Sequence, residues 1–284
     1  MNRGITLEDG TYGCRAVLHS NWSDDLFSYM TDNAVVELEL NLAKGWKGQD
    51  LSFLARLQYL KSFEIFHFGI DSIEPLHFLH GLKRLGVTTY CSTRIDFSAF
   101  PELQSCGLEW RPKATSLFSC VTLRNLFINR YNGKDIAPFT NLVNLESLAI
   151  LNAPVENLNG LNALTKLRSL RLANLKHLTS LTGIEGLASL EELAVQACRA
   201  VSSIKEVGSL SHLRKLHLNN DGSFESLKPL DSLSALESVV FDESTNIIDG
   251  DLSPLARQKK LSNVSFQNRR HYSHRREDFG AYRR

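Results

Sequence analysis

The chain has 284 residues, 43% hydrophobic and 22% charged, which is ample material for a buried core. A formal net charge of +1 excludes a global field that would draw it to nucleic acid or a membrane surface. No run of 18 apolar residues is present, and Cys14, Cys91, Cys106, Cys120 and Cys198 form no CxxC pair or zinc spacing, so neither a membrane span nor a metal site is expected. The start "MNRGITLEDG" has no apolar segment, and a reducing, cytoplasmic setting is the simpler expectation.

Residues 1–48 come first and read as an end cover. "YGCRAVLHS" suits a strand, and "SDDLFSYMTD" suits a short amphipathic helix with Ser23 as N-cap. "VVELELN" suits a divergent opening strand with Val36, Leu38 and Leu40 facing inward.

A repeat follows over residues 49–268. Its closing apolar pairs are Phe63/Ile65, Leu85/Val87, Cys106/Leu108, Leu126/Ile128, Leu148/Ile150, Leu170/Leu172, Leu193/Val195, Leu216/Leu218, Val239/Phe241 and Val264/Phe266, spaced 20 to 25 residues apart. Three residues before each pair stands a leucine, from Leu60 to Leu261. Six before, every residue but Gln258 is apolar, and nine before, all are apolar. A two-residue step predicts a strand. Steps of three predict tight 3₁₀-like returns, whose side chains eclipse at that interval. One such coil cannot bury its leucines alone, so the coils stack and share a core.

This pattern resembles leucine-rich repeat proteins of the short, roughly 22-residue class, such as the repeat regions of bacterial internalins. The resemblance covers about residues 49–268 as ten repeats. It implies an α/β solenoid: a leucine-rich repeat arc with a parallel β-sheet on the concave face and short 3₁₀, helical or irregular returns on the convex face. The pattern departs from the family at one column. Asn or Cys usually stands three residues after the second strand leucine, whereas here the column reads Ala153, Leu175, Cys198, Asp221 and Ser244, with Asn152, Asn174 and Asn220 one place earlier. A buried polar ladder is therefore absent or differently built.

In this fold the outward strand residues line the concave side. Gly86, Gly107, Ala149, Ala173 and Ala194 leave a low floor there. Large residues collect on the first coils and just after their strands. The candidate partner-binding residues are Phe66, Phe68, Tyr90, Trp110, Arg111, Phe127, Arg130 and Tyr131, with Arg171 and His217 further along. Aromatics and arginine dominate interface energetics. Trp110, Arg130 and Tyr131 are the expected anchors.

The tail "RRHYSHRREDFGAYRR", residues 269–284, carries six Arg against one Glu and one Asp. It reads either as a cap packed through Tyr272, Phe279 and Tyr282 or as a basic arm for nucleic acid. His271 and His274 make an incomplete metal site, and His77 and His80 fall on a return segment beside core leucines. No P-loop, GxSxG or HExxH is present. The expectation is a non-enzymatic, monomeric scaffold without cofactor or metal that binds a protein on its concave face. A cytoplasmic inhibitor or immunity protein, blocking a toxin or enzyme, is the narrower alternative.

Overall fold

The leucine spacing sets hydrogen bonds as well as the core. In the computed structural model, which describes residues 4–280, Leu51, Leu54, Leu57 and Leu60 are all buried. Leu54 N–H donates to the Leu51 carbonyl at 3.0 Å, Leu57 to Leu54 at 2.9 Å, and Leu60 to Leu57 at 3.0 Å. The same chain of bonds links Leu158, Leu161, Leu164 and Leu167. Each of these residues fills the interior and closes a 3₁₀-type turn, so the period of three serves packing and backbone together. The following two-residue step then opens a strand.

The chain divides into two units. The N-terminal unit, Met1–Ile128, contains β1 (Ile5–Asp9), β2 (Cys14–Leu18), α1 (Asp24–Asp32), β3 (Val35–Asn41), β4 (Ser62–Phe66), β5 (Arg84–Thr88), β6 (Ser105–Glu109) and β7 (Asn125–Asn129), the last reaching one residue beyond it. The strands lie in chain order. From β2 to β6 they pair in parallel. β1 pairs antiparallel with β2, Ile5 facing Leu18 and Asp9 facing Cys14. Short 3₁₀ segments such as Ser52–Arg56 and Glu74–Phe78 form the returns. α1 buries Leu26 and Met30 and is tied to the first coil by Trp22 stacked on Phe53 at 4.2 Å.

The C-terminal unit, Asn129–Arg284, contains β8 (Ser147–Leu151), β9 (Ser169–Ala173), β10 (Glu192–Gln196), β11 (Lys215–Asn219), β12 (Ser223–Phe224), β13 (Ser238–Phe241), β14 (Asn246–Ile247), α2 (Ser253–Ala256) and β15 (Asn263–Phe266). Its main sheet runs β8-β9-β10-β11-β13-β15, and β12 pairs with β14 apart from it. Both units have the solenoid architecture of parallel strands with 3₁₀ returns.

The closing pairs of all the repeats are buried. So are the leucines three before them, except Leu261, which is half-buried in the last coil. Gln258 is accommodated there by donating its Nε2 to the Leu230 carbonyl at 2.7 Å. In the N-terminal cover, "YGCRAVLHS" supplies β2. Ser23 sits at the N-cap of α1 but accepts no side-chain capping bond. Val36 is only half-buried and Val35 is inside instead, at the point where the β2–β3 register shifts.

The departure from the usual repeat column has a backbone cause. Arg130, Asn152, Asn174, Ala197, Asn220 and Glu243 have φ between 53° and 62°. Asparagine tolerates this left-handed conformation better than most residues. The amide of Asn152 reaches the Ala173 carbonyl at 2.9 Å, and that of Asn174 reaches Gln196 at 2.8 Å, which extends the ladder past the strand ends. Asn152 Nδ2 donates to Asn129 Oδ1 at 2.7 Å and Asn174 Nδ2 to Asn152 Oδ1 at 2.5 Å, an outer chain of amides in place of an inner one. The inner column still holds polar groups at its far end. Buried Asp221 accepts the Cys198 N–H at 2.7 Å; in the next coil Ser244 is exposed and Thr245, one place later, is buried in its stead, its Oγ1 donating to the Leu218 carbonyl at 2.6 Å.

The tail folds back on the last coil. Tyr272 lies 5.8 Å from the Phe266 ring and Phe279 6.0 Å from it. The Tyr272 hydroxyl accepts the Ile247 N–H at 3.0 Å. Tyr282 lies outside the described residues.

Candidate functional site

The outward strand residues of the N-terminal unit begin with charge. Glu39 on β3 faces Glu64 on β4, which faces Gly86 on β5, which faces Gly107 on β6. Arg15 on β2 bridges the two carboxylates, 2.6 Å from Glu39 and 3.2 Å from Glu64. Lys44 adds a contact to Glu39 at 2.9 Å, and Arg84 holds Glu64 at 2.6 Å. Burial works to raise the Glu39 pKa, but hydrogen bonds from Asn41 and Lys44 and the Arg15 charge hold it below the ordinary value. A Cβ on Gly86 would stand 3.0 Å from Glu64 Cγ. The low floor at Gly86 is therefore already crossed by the Glu64 side chain.

Beyond this network lies an exposed aromatic patch. Phe66 and Phe68 are each 38% exposed and Tyr90 58%. Their rings touch in series, Phe66 to Phe68 at 4.8 Å and Phe68 to Tyr90 at 4.6 Å. Phe127 on β7 is 44% exposed. Two of the sequence-predicted surface residues are corrected here. Arg111 is 5% exposed, and its guanidinium turns inward to the carbonyls of Cys91 and Thr89 at 3.0 and 3.3 Å. Tyr131 is also 5% exposed, its ring edge-on to Phe139 at 5.2 Å. Both are structural groups of the turn. Trp110 is half-buried, 5.5 Å from Phe118, while Arg130 is exposed at its left-handed turn.

In the C-terminal unit, Ala149, Arg171, Ala194 and His217 are successive partners across β8 to β11. A depression of about 260 Å³ opens at Ala194, lined also by Arg171, Gln196, Lys215, His217 and Asn219, among others. Arg171 and His217, singled out from the sequence, are brought together in it. The signal for the depression itself, small residues at alternate outward positions, is legible in the sequence.

Chemistry elsewhere is sparse. Among the described residues, no group of three or more His, Cys, Asp or Glu side chains is placed to hold a metal ion, and no helix is long and apolar enough to cross a membrane. His77 is bonded locally, to the Glu74 carbonyl and the Asp96 N–H, both at 2.9 Å. Cys91 is half-buried. Burial opposes its ionisation, but Thr89, Arg111 and the Thr93 amide outweigh that and lower its pKa. Burial pushes Cys120 and Cys198 up to about 11.

A model of the leucine-rich repeat domain of the endo-β-N-acetylglucosaminidase EndoS matches residues 128–246. Comparison with curated protein sequences finds no significant match. Among solved structures, an internalin, InlF, from Listeria monocytogenes is 20% identical with a TM-score of 0.51, covering 90% of this chain and 87% of its own. The functional domain of InlJ from the same organism is 14% identical with a TM-score of 0.57, covering 89% and 68%. PEPR1–AtPEP1 is 17% identical with a TM-score of 0.53, covering 81% and 34%. At these identities the likeness establishes the fold: this chain is a leucine-rich repeat solenoid similar to the internalins.

Proposed function

We propose that the chain is a protein-binding scaffold without catalytic activity of its own, and that its outward strand face is the binding surface. The exposed ring series Phe66–Phe68–Tyr90 carries this reading. Contiguous aromatic surface left in water marks an interaction site more often than it serves stability. The rings stand at the ends of rigid strands, so little ordering entropy is lost on association. PEPR1 paired with AtPEP1 lends support from the same fold. Cytoplasmic inhibition of a toxin or enzyme is the narrower form of the reading: a rigid face laid over another protein's working surface blocks it.

The test is capture of partners from lysate of the source cells by the wild-type chain and by Phe68→Ala, Tyr90→Ala and Phe127→Ala variants. Truncating a hot-spot aromatic costs roughly 2 kcal/mol or more, so a variant at a hot spot should lose most of the captured protein while melting unchanged. Equal capture by all three overturns the proposed surface. Arg111→Ala and Tyr131→Ala are unsuitable probes because they damage the turn itself.

A further inference from the structure

The depression in the C-terminal unit carries one charge that its surroundings leave uncompensated. Glu192 and Lys215 neutralise each other across 2.5 Å. At the strand starts, Arg168 is paired with Glu191 at 2.5 Å and Arg214 with Glu237 at 2.9 Å. Arg171 differs. Its hydrogen bond runs to Gln196 Oε1 at 3.0 Å, a neutral amide. Its cross-strand partners are Ala149 and Ala194, which offer nothing polar. The side chain is exposed, so its guanidinium stands over a low apolar floor with His217 beside Ala194 on the far flank.

We infer that this depression receives the carboxylate of an aspartate or glutamate projecting from a protein partner, held by Arg171. This rests on the proposed use of the strand face. A guanidinium offers a planar fork that matches a carboxylate's two oxygens. The small side chain of Ala194 leaves room for the methylene stem of an acidic side chain, because apolar contact continues up to the charged end. Phosphate-bearing partners fit less well. Among the residues lining the depression, Arg171 is the one full cation not already held by a carboxylate. Charge complementarity thus selects an acidic protein segment.

Random peptides displayed on phage and selected on the immobilised full-length chain test this. Selection on wild type should enrich Asp or Glu at one fixed position. Arg171→Gln should erase that preference and weaken the selected peptide about tenfold or more. Arg171→Glu should replace the acid with Lys or Arg. Arg171 is exposed, and matching melting curves verify that the variants fold. Peptides that bind wild type and Arg171→Gln equally, yet are lost on Ala194→Trp or Tyr90→Ala, overturn the carboxylate inference and leave strand-face binding standing. Peptides indifferent to all of these substitutions overturn both.

Discussion

Asp221 shows how one buried side chain can couple stability to pH. It is fully buried, and its Oδ2 has no hydrogen-bond partner. Burial pushes its pKa up to about 7, although the Cys198 N–H pulls the other way. An unfolded aspartate titrates near 3.9. Between about pH 4 and pH 7 the folded chain therefore holds a proton that the unfolded chain releases, and stability falls as the pH rises through this window. Asp221→Asn keeps the acceptor for Cys198 and removes the charge. Thermal melts should show it stabilised above pH 7, by about 4 kcal/mol at most, with little gain at pH 4. A second residue-scale prediction concerns thiols. With iodoacetamide at pH 7, Cys91 should be alkylated at least about tenfold faster than Cys198, because thiolate fraction governs the rate and only the latter's pKa is raised, to about 11. Mass spectrometry of early time points reads the order. At this scale the sequence is also least transparent. Arg111 and Tyr131 look like surface anchors by residue type, yet they stand three residues after their strand pairs, in the column of Ala153, Leu175 and Cys198, which is buried. Extending that column backwards along the chain locates them inside. Residue chemistry misleads there because the turn beyond the strand breaks the alternation of faces.

At the scale of the coil, the apolar columns were readable because packing and 3₁₀ hydrogen bonding impose the same interval. Leu145 is completely buried between a tight turn and a strand. Leu145→Ala should cost about 2–5 kcal/mol by cavity formation. Leu261→Ala in the final coil should cost clearly less, since that side chain is only half-buried. Denaturant titration of both variants measures the contrast. The left-handed turns give a subtler case. Asn174 has φ 55°, so Asn174→Ala should destabilise by about 1 kcal/mol or more through backbone strain and the lost amide contact, whereas Asn174→Gly should relieve the strain component. The asparagines were visible in the sequence, but their role was not, because a positive φ has no periodicity of its own.

For the whole molecule, the ends decide whether the repeats are protected. At the C-terminal end, Tyr272 and Phe279 cover Phe266, and Tyr272 also reaches toward Phe241. Deleting residues 270–284 should therefore lower the melting temperature and expose aromatic surface, seen as increased binding of a hydrophobic dye. Unchanged melting would return the tail to the role of a free basic arm. The repeat region announces itself through five columns that are apolar in every coil but for Gln258, while the N-terminal cover is legible only in part. β2, α1 and β3 follow from short patterns. β1 does not, because "ITLED" offers too few residues to distinguish a strand from a solvated leader. β1 nevertheless runs against the direction of every strand that pairs beyond β2 in its unit, and its Glu8 and Asp9 remain exposed. A stack of like-directed coils is an open template onto which a second molecule's final coil could dock, then a third. The reversed first strand ends that like-directed ladder, and its exposed Glu8 and Asp9 put charge along the edge, which disfavours head-to-tail growth there.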